Sequence, residues 1–326
     1  MEYNITKESL DSLDSCWAES SHGLSWNSVF ILPAWLRVWW QQLGPESEPY
    51  LIAVRQGERI IGIAPLMVED RRASFIGSVD VCDYLDFIVV PGMENDFFSV
   101  ILDDLRQKGI NQLDLGHLRP DSTVLTHLTA IASNRGHEVL CYPEDVTLEL
   151  YLPPTWEEYL ETLNKKQRHE VKRKLRRLWE AGIVNYRCPE VSHEDKGLMD
   201  MFLQLFSLSN EEKANFMTDR MESFFRALAK AMAEIGILRF GILELDAQPT
   251  AMIMGFDYNG SIYLYNSAYD PQYNSLSVGI LSKALCIKES IQEGKKRFDF
   301  LKGDEIYKYH LGGREIPLYS CRITIR

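Results

Sequence analysis

The sequence contains no CxxC pair, no HExxH or HxxxH spacing, no GxSxG elbow, no P-loop and no dinucleotide fingerprint. The first absences argue against a structural zinc and against metal chemistry, since ligands must recur at spacings that converge on one ion. The others remove the common serine-hydrolase, nucleoside-triphosphate and dinucleotide readings. There is also no run of about 18 apolar residues such as crosses a bilayer. Residues 1–16 are acidic and polar, without the basic start and apolar stretch of a signal peptide. A cytoplasmic protein without a membrane segment is the expectation. Six cysteines, Cys16, Cys82, Cys141, Cys188, Cys286 and Cys321, lie scattered and mostly inside apolar runs. They are expected to be reduced and buried.

The material for globular cores is present. With 326 residues, 45% hydrophobic and 25% charged, the chain is too long for one typical core of roughly 100–200 residues, so two domains are expected. A net charge of −12 argues against general nucleic-acid binding. One segment departs from that average. Residues 164–177, NKKQRHEVKRKLRR, hold eight basic residues against the single Glu170, a local +7 that leaves −19 (−12 minus 7) on the rest. Val171, Leu175, Leu178 and Trp179 fall on one helical stripe and Gly182 stands at the C-cap position, so this is an amphipathic helix with its basic faces outward. It reads either as a solvated surface helix or as a landing site for a phosphorylated donor or substrate.

Periodicity places a helix over Phe30–Leu43, a hairpin over YLIAVRQGERIIGIAPLMV, a strand at YLDFIVV, a helix over Asn95–Lys108, the strand INQLDLGHL, a helix over Ser122–Asn134, and separate strands at HEVLCY and VTLELYL. After Pro153-Pro154 the plan restarts. Helices are expected over about 155–181, 193–208 and 219–235, with VNYRC as a strand among them. Three antiparallel strands follow in ILRFGILELD, PTAMIMGFDY and SIYLYNSAYD, then a helix from Ser277 to Gln292, the strand KRFDFL, a short helix at 304–310 and the strand IPLYSCRITI. Both halves thus read as helices, three strands, helix, strand, helix, strand. That order predicts a duplicated α+β unit with domains 1–153 and 154–326.

Two junctions in the second half carry chemistry-bearing residues. Asn274, Ser275, Ser277 and Gly279 open an apolar helix, where small residues would leave amide hydrogens free for a phosphate; the alternative is ordinary N-capping. In FDFLKGDEIYKYHLGG a strand stops at Gly303, and Asp304, Tyr307 and Lys308 then share one helical face at i, i+3 and i+4 beside Glu305. The bland account is a cap, an ion pair worth a few tenths of a kcal/mol and a packed ring. His310 is a weaker candidate base one turn on. Tyr263, Tyr265 and Tyr269 alternate along a strand and either line an acceptor groove or pack in the core. Asp83, Tyr84 and Asp86 in VCDYLDF are expected to face an inter-domain cleft.

In their order along the chain, FILPAWLRVWW, IIGIAPLMV, CDYLDFIV, the basic helix, YLYNSAYDPQYNSLSVGIL and FDFLKGDEIYKYHLG resemble the BioF2-like or CelD-like acetyltransferases of the GNAT superfamily, related to the Fem aminoacyl transferases. The usual acyl-CoA loop is Gln or Arg, two residues, Gly, one residue, Gly or Ala. Asn274-x-x-Ser277-x-Gly279 matches it strictly only at Gly279. The resemblance implies two tandem GNAT-like domains, each a mixed, mostly antiparallel sheet flanked by helices. It implies acetyl-CoA or another acyl-CoA held by Asn274, Ser275, Ser277, Val278 and Gly279, and no metal. It implies an acyltransferase that modifies an amino group of a small-molecule or sugar-linked acceptor.

Acyl transfer needs a deprotonated amine, an oxyanion stabiliser and a proton for the leaving group. By resemblance Tyr307 gives that proton, Lys308 steadies developing negative charge, and Asp304 or Glu305 accepts the amine proton. Tyr265, Tyr269, Lys165, Arg168 and Arg173 are the expected substrate contacts. The alternatives are an aminoacyl-tRNA donor, with the tRNA on the basic helix, and a non-catalytic binding module.

Overall fold

The computed structural model describes residues 2–19, 23–192 and 197–326. His22 and His193 lie outside the described residues, as does the start of the helix expected over 193–208. The chain divides into two compact units, Met1–Val146 with Ile316–Arg326, and Thr147–Glu315. The division expected at Pro153-Pro154 therefore gives way to one in which the C-terminal strand returns to the first unit.

In the first unit the strands are β1 (Tyr3–Lys7), β2 (Tyr50–Gln56), β3 (Arg59–Glu69), β4 (Arg72–Phe75), β5 (Ile88–Val89), β6 (Gln112–Leu118), the start of β7 (Glu138–Tyr151) and the end of β13 (Arg314–Thr324). They run in the order β1-β2-β3-β4-β6-β13-β7, with β5 beside β3. The helices are α1 (Ser12–Ala18), α2 (Pro33–Leu43), α3 (Glu94–Gln107) and α4 (Thr129–Asn134). Pro33 opens α2, where its missing N–H and fixed φ cost nothing, and Gly44 ends it, because a Cβ there would stand 2.5 Å from the Trp40 carbonyl. The apolar face of α2 buries Trp35, Leu36, Val38 and Trp39, and the Trp35 indole donates to Cys82 Sγ at 3.3 Å.

Three expectations change in this unit. YLDFIVV forms only the two-residue β5, because the buried Asp86 carboxylate takes the N–H groups of Phe87 (2.9 Å) and Thr123 (2.8 Å) and bends the segment into a loop. Tyr84 and Asp86 are accordingly buried within the first unit. HEVLCY and VTLELYL form the single strand β7, since Pro143 falls in its exposed half, where a missing ladder donor is tolerated. Cys141 of β7 and Cys321 of β13 are joined as a disulfide; the other four cysteines are free, as expected.

The second unit holds the end of β7, β8 (Val184–Arg187), β9 (Leu238–Leu245), β10 (Gln248–Tyr258), β11 (Ser261–Tyr269) and β12 (Arg297–Lys302), in the order β7-β12-β11-β10-β9-β8. Its helices are α5 (Trp156–Thr162), α6 (Lys165–Ala181), α7 (Gly197–Ser209), α8 (Glu211–Phe216), α9 (Asp219–Glu234), α10 (Val278–Gln292) and α11 (Ile306–His310). The helices expected over 155–181 are α5 and α6, and Asn164 and Gln167 form a capping box that starts α6 afresh. Thr250–Phe256 of β10 are buried without a break, so both faces are covered. The α7–α9 group packs on one face, and α6 with α10 on the other.

One irregularity organises the unit. β11 and β12 are parallel and pair only at Ser261–Tyr263 with Arg297–Asp299. Beyond that point β11 bulges, with Leu264 and Tyr265 opposite the single Gly255, and β12 bulges between Asp299 and Leu301. Gly255 is required there, since a Cβ would lie 2.5 Å from the Tyr263 carbonyl. Bulges bend strands, and here they attend the parting of two neighbours that leaves a gap in the sheet.

Candidate functional site

On one side of the gap, the chain leaves β11 through a 3-10 turn, Pro271–Leu276, and enters α10 at Ser277. Ser277 has φ +61°, the left-handed region, and its side chain makes no capping bond. Ile280 and Leu281 donate to the Ser277 carbonyl, while the Val278 and Gly279 amides have no partner among the described residues. The positive end of a 15-residue helix is thus open. Gly279 is needed for close approach: a Cβ there would meet the Tyr269 ring at 3.0 Å. Asn274 and Ser275 are exposed in the preceding turn, and the Asn274 carbonyl accepts from Ser277.

A positive group reaches the same point from α6. Arg177 Nη2 donates to Ser277 Oγ at 3.3 Å, and its Nε is buried without a partner. Of the basic residues expected to touch substrate, Lys165 is exposed, Arg168 half-buried, and Arg173 already paired with Glu170 at 2.8 Å. Lys165, Lys166 and Arg168 crowd the first turn of α6, the end where a helix dipole disfavours cations.

Across the gap, β12 runs to Gly303 and the five-residue α11. Lys308 is 1% exposed. Its ammonium donates to the carbonyls of Leu301 (2.9 Å), Lys302 (2.6 Å) and Gly303 (3.0 Å) and pairs with Glu305 Oε2 at 2.8 Å. That arrangement locks the turn, and holds Leu301 at φ +62°. Glu305, at the N-cap of α11, is the carboxylate drawn into the cluster; Asp304 is exposed and makes no cap. The Tyr307 hydroxyl has no hydrogen-bond partner among the described residues. Burial, and secondarily the Glu305 charge, push its pKa well up, so it stays protonated and able to donate.

Two lysines that the sequence reading passed over join these pieces. Lys283 of α10 is 5% exposed; its ammonium donates to the Gly279 carbonyl at 2.8 Å and lies 4.8 Å from the centre of the Tyr307 ring. It therefore ties the open helix end to α11. Burial, with repulsion from Lys213, brings its pKa down to about 7 against the pull of Glu305. Lys213 of α8 comes from the other face, donates to the Ser267 carbonyl in the parted stretch of β11 and sits over the Phe206 ring. Burial lowers its pKa to about 8. A lone lysine inside the apolar run VGILSKALCI was the available signal for Lys283; Lys213, in EEKANF, gave none.

Other candidates fall elsewhere. Tyr265 is half-buried, stacked on Phe225 with centroids at 5.7 Å and tilted against Phe256 at 5.2 Å. Tyr263 is 1% exposed and bonded to Arg297. His310 borders a cavity of about 420 Å³ that also touches Lys166 and Lys174 of α6. No group of three or more His, Cys, Asp or Glu placed to hold a metal occurs among the described residues.

Residues 165–309 match the family described as acetyltransferase (GNAT) domain. No curated protein matches the chain in sequence. Among solved structures, the chain is similar to FemX, at 12% identity over 98% of this chain and 97% of that one, with a TM-score of 0.63. It is also similar to a conserved protein of unknown function from Bacteroides thetaiotaomicron, at 12% identity over 99% and 100%, with a TM-score of 0.60. At such identities the likeness is one of fold. Residues 165–309 are thus a domain of the GNAT acetyltransferase superfamily, carried in a chain whose fold is shared with FemX.

Proposed function

We propose that the second unit is an N-acyltransferase that takes an acyl group from acyl-CoA and delivers it to an amine in the gap between β11 and β12. The observation that carries this reading is the open start of α10 tied through Lys283 to Tyr307. Two unengaged amides and the Arg177 guanidinium suit a diphosphate. The parted strands admit a thioester arm alongside.

In this reading the amine attacks the thioester carbonyl, the carbon–sulfur bond breaks, and Tyr307, neutral and unpartnered, protonates the departing thiolate. Glu305, held by Lys308, takes the proton that the amine loses. Lys308 positions Glu305 and the Leu301–Gly303 turn rather than touching substrate. Acetyl-CoA is the first donor to try, with a small-molecule or sugar-linked amine as acceptor. Calorimetric titration with acetyl-CoA tests the donor: saturable binding that Ser277→Asp weakens supports the reading, and the absence of binding overturns it.

A second reading is favoured by one observation, the cationic first turn of α6 together with the fold shared with FemX. An aminoacyl-tRNA donor would bind with a steep inverse dependence on salt, and acetyl-CoA would not. Titrating each at 50 and 200 mM salt separates the two.

A further inference from the structure

Lys213, half-buried, and Lys283, buried, stand out because each ammonium group has a backbone carbonyl as its hydrogen-bond acceptor, Ser267 O for one and Gly279 O for the other. A buried cation without a counter-ion is costly and either loses its proton or finds an anion. The acid that acts on either lysine is Glu305, and Glu305 is already bonded to Lys308. Three ammonium groups therefore share one carboxylate. Their positions also matter. Lys213 enters from the α7–α9 face and touches β11 where it has left β12; Lys283 enters from the α10 face and reaches over Tyr307, which follows β12. They flank the gap from its two sides.

We propose that Lys213 and Lys283 form a receptor for a carboxylate carried by one of the two substrates, held in the strand gap beside the point of acyl transfer. This rests on the acyltransferase reading and makes it more specific. The carboxylate has two possible sources: a dicarboxylic acyl group on the donor, or an α-carboxylate next to the acceptor amine. Either would supply the missing negative charge between the two ammonium groups without displacing Glu305 from Lys308.

The groups facing Lys283 are Lys213 from α8, Glu305 and Lys308 from the α11 segment with the Tyr307 ring, and Cys286 from its own helix; Glu305 faces Lys213. Burial weakens proton binding on both lysines when the gap is empty, and repulsion from Lys213 weakens it further on Lys283. A bound carboxylate restores it, so binding at pH 8 draws protons from the buffer.

The test is isothermal titration at pH 8 in two buffers of different ionisation enthalpy, using acetyl-CoA against succinyl-CoA, and ethylamine against L-alanine in the presence of CoA. The carboxylated member of one pair is expected to bind about tenfold tighter, with net proton uptake, and which pair responds identifies the source. Lys213→Met and Lys283→Met are each expected to bring that ratio towards one. Equal affinities in both pairs, or a preference that survives both substitutions, overturn the proposal. Proton uptake by the unaltered protein needs no variant, and its absence also overturns it. Binding of acetyl-CoA itself, read in the same titrations, judges the donor reading separately.

Discussion

The two units repeat one plan and use it differently. In the first, β2, β3 and β4 form an antiparallel trio, α3 follows, and β6 pairs in parallel with β4 at Arg72–Ser74 and Gln112–Asp114. In the second, β9, β10 and β11 are the trio, α10 follows, and β12 pairs in parallel with β11 over three residues. Both backbones therefore part after three pairs. In the first unit, however, Phe75, Phe87, Phe97 and Phe98 pack edge to face at 5.0–5.8 Å where the second has lysines and a tyrosine. A Cβ on Gly62 would strike the Phe97 ring at 2.4 Å, so that region is filled. The first turn of α3 carries Glu94 and Asp96, which repel an anion, whereas α10 begins with a serine, a valine and a glycine under Arg177. The same parting of strands serves as core in one unit and as candidate site in the other; side chains make the difference.

The comparison can be broken most directly at Tyr307. Tyr307→Phe removes the proton for the leaving thiolate and should lower turnover about 100-fold, in the range of a lost general acid, with a smaller change in acetyl-CoA affinity. Unchanged turnover in a steady-state assay would remove the residue from the reaction. Next, Ser277→Asp gives α10 the acidic entry that α3 has. Asp is tolerated in the left-handed region, so the fold should persist while the acetyl-CoA Kd rises about tenfold. The exchange in the other direction, Glu94→Gln with Asp96→Asn, should create no second CoA site. Stoichiometry by titration checks this, and a second equivalent bound would show that charge alone had distinguished the units. Arg177→Ala should raise the Kd about fivefold, since a half-buried charged hydrogen bond contributes about 1 kcal/mol.

The units should also differ in their response to pH. Burial raises Asp86 to about 6 from 3.8 in the first unit. Between those values the folded state binds more protons than the unfolded, so its contribution to stability falls as pH rises from about 4 to 6. Lys283, lowered to about 7 from 10.5, acts with the opposite sign. There the unfolded state binds more protons, and stability rises as pH climbs from about 7 to 10. Each slope is at most about 1.4 kcal/mol per pH unit. Denaturation of Asp86→Asn and Lys283→Met against the parent across pH 4–10 should show each substitution reduce the slope in its own window, Lys213 keeping a share of the alkaline one, and leave the other window unchanged.

Much of this was legible in the sequence where local chemistry dictates structure. Pro33 and Gly44, the hairpin of β2 and β3, and the apolar stripe Val171, Leu175 and Leu178 all announce elements that form, although Trp179, expected on that stripe, is 48% exposed. The junction at Ser277–Gly279 was readable as either a phosphate seat or an ordinary N-cap, and the folded chain decides against the cap, since the Ser277 side chain makes no capping bond. What failed depended on distant partners. YLDFIVV has the composition of a strand, yet Asp86 finds Thr123, 37 residues away, and takes the backbone with it. Lys308 reads as reactive from its neighbours but is saturated by three carbonyls that only the folded turn brings together. Lys213 and Lys283 lie 70 residues apart, and their proximity is a property of the gap between two strands, which no spacing rule encodes.

Ser277 places binding and folding in opposition. A serine in the left-handed region gives up about 1 kcal/mol that glycine would not. Ser277→Gly should therefore make the protein harder to unfold while removing the oxygen that steadies Arg177. A firmer protein with a looser grip on its donor is the expected trade.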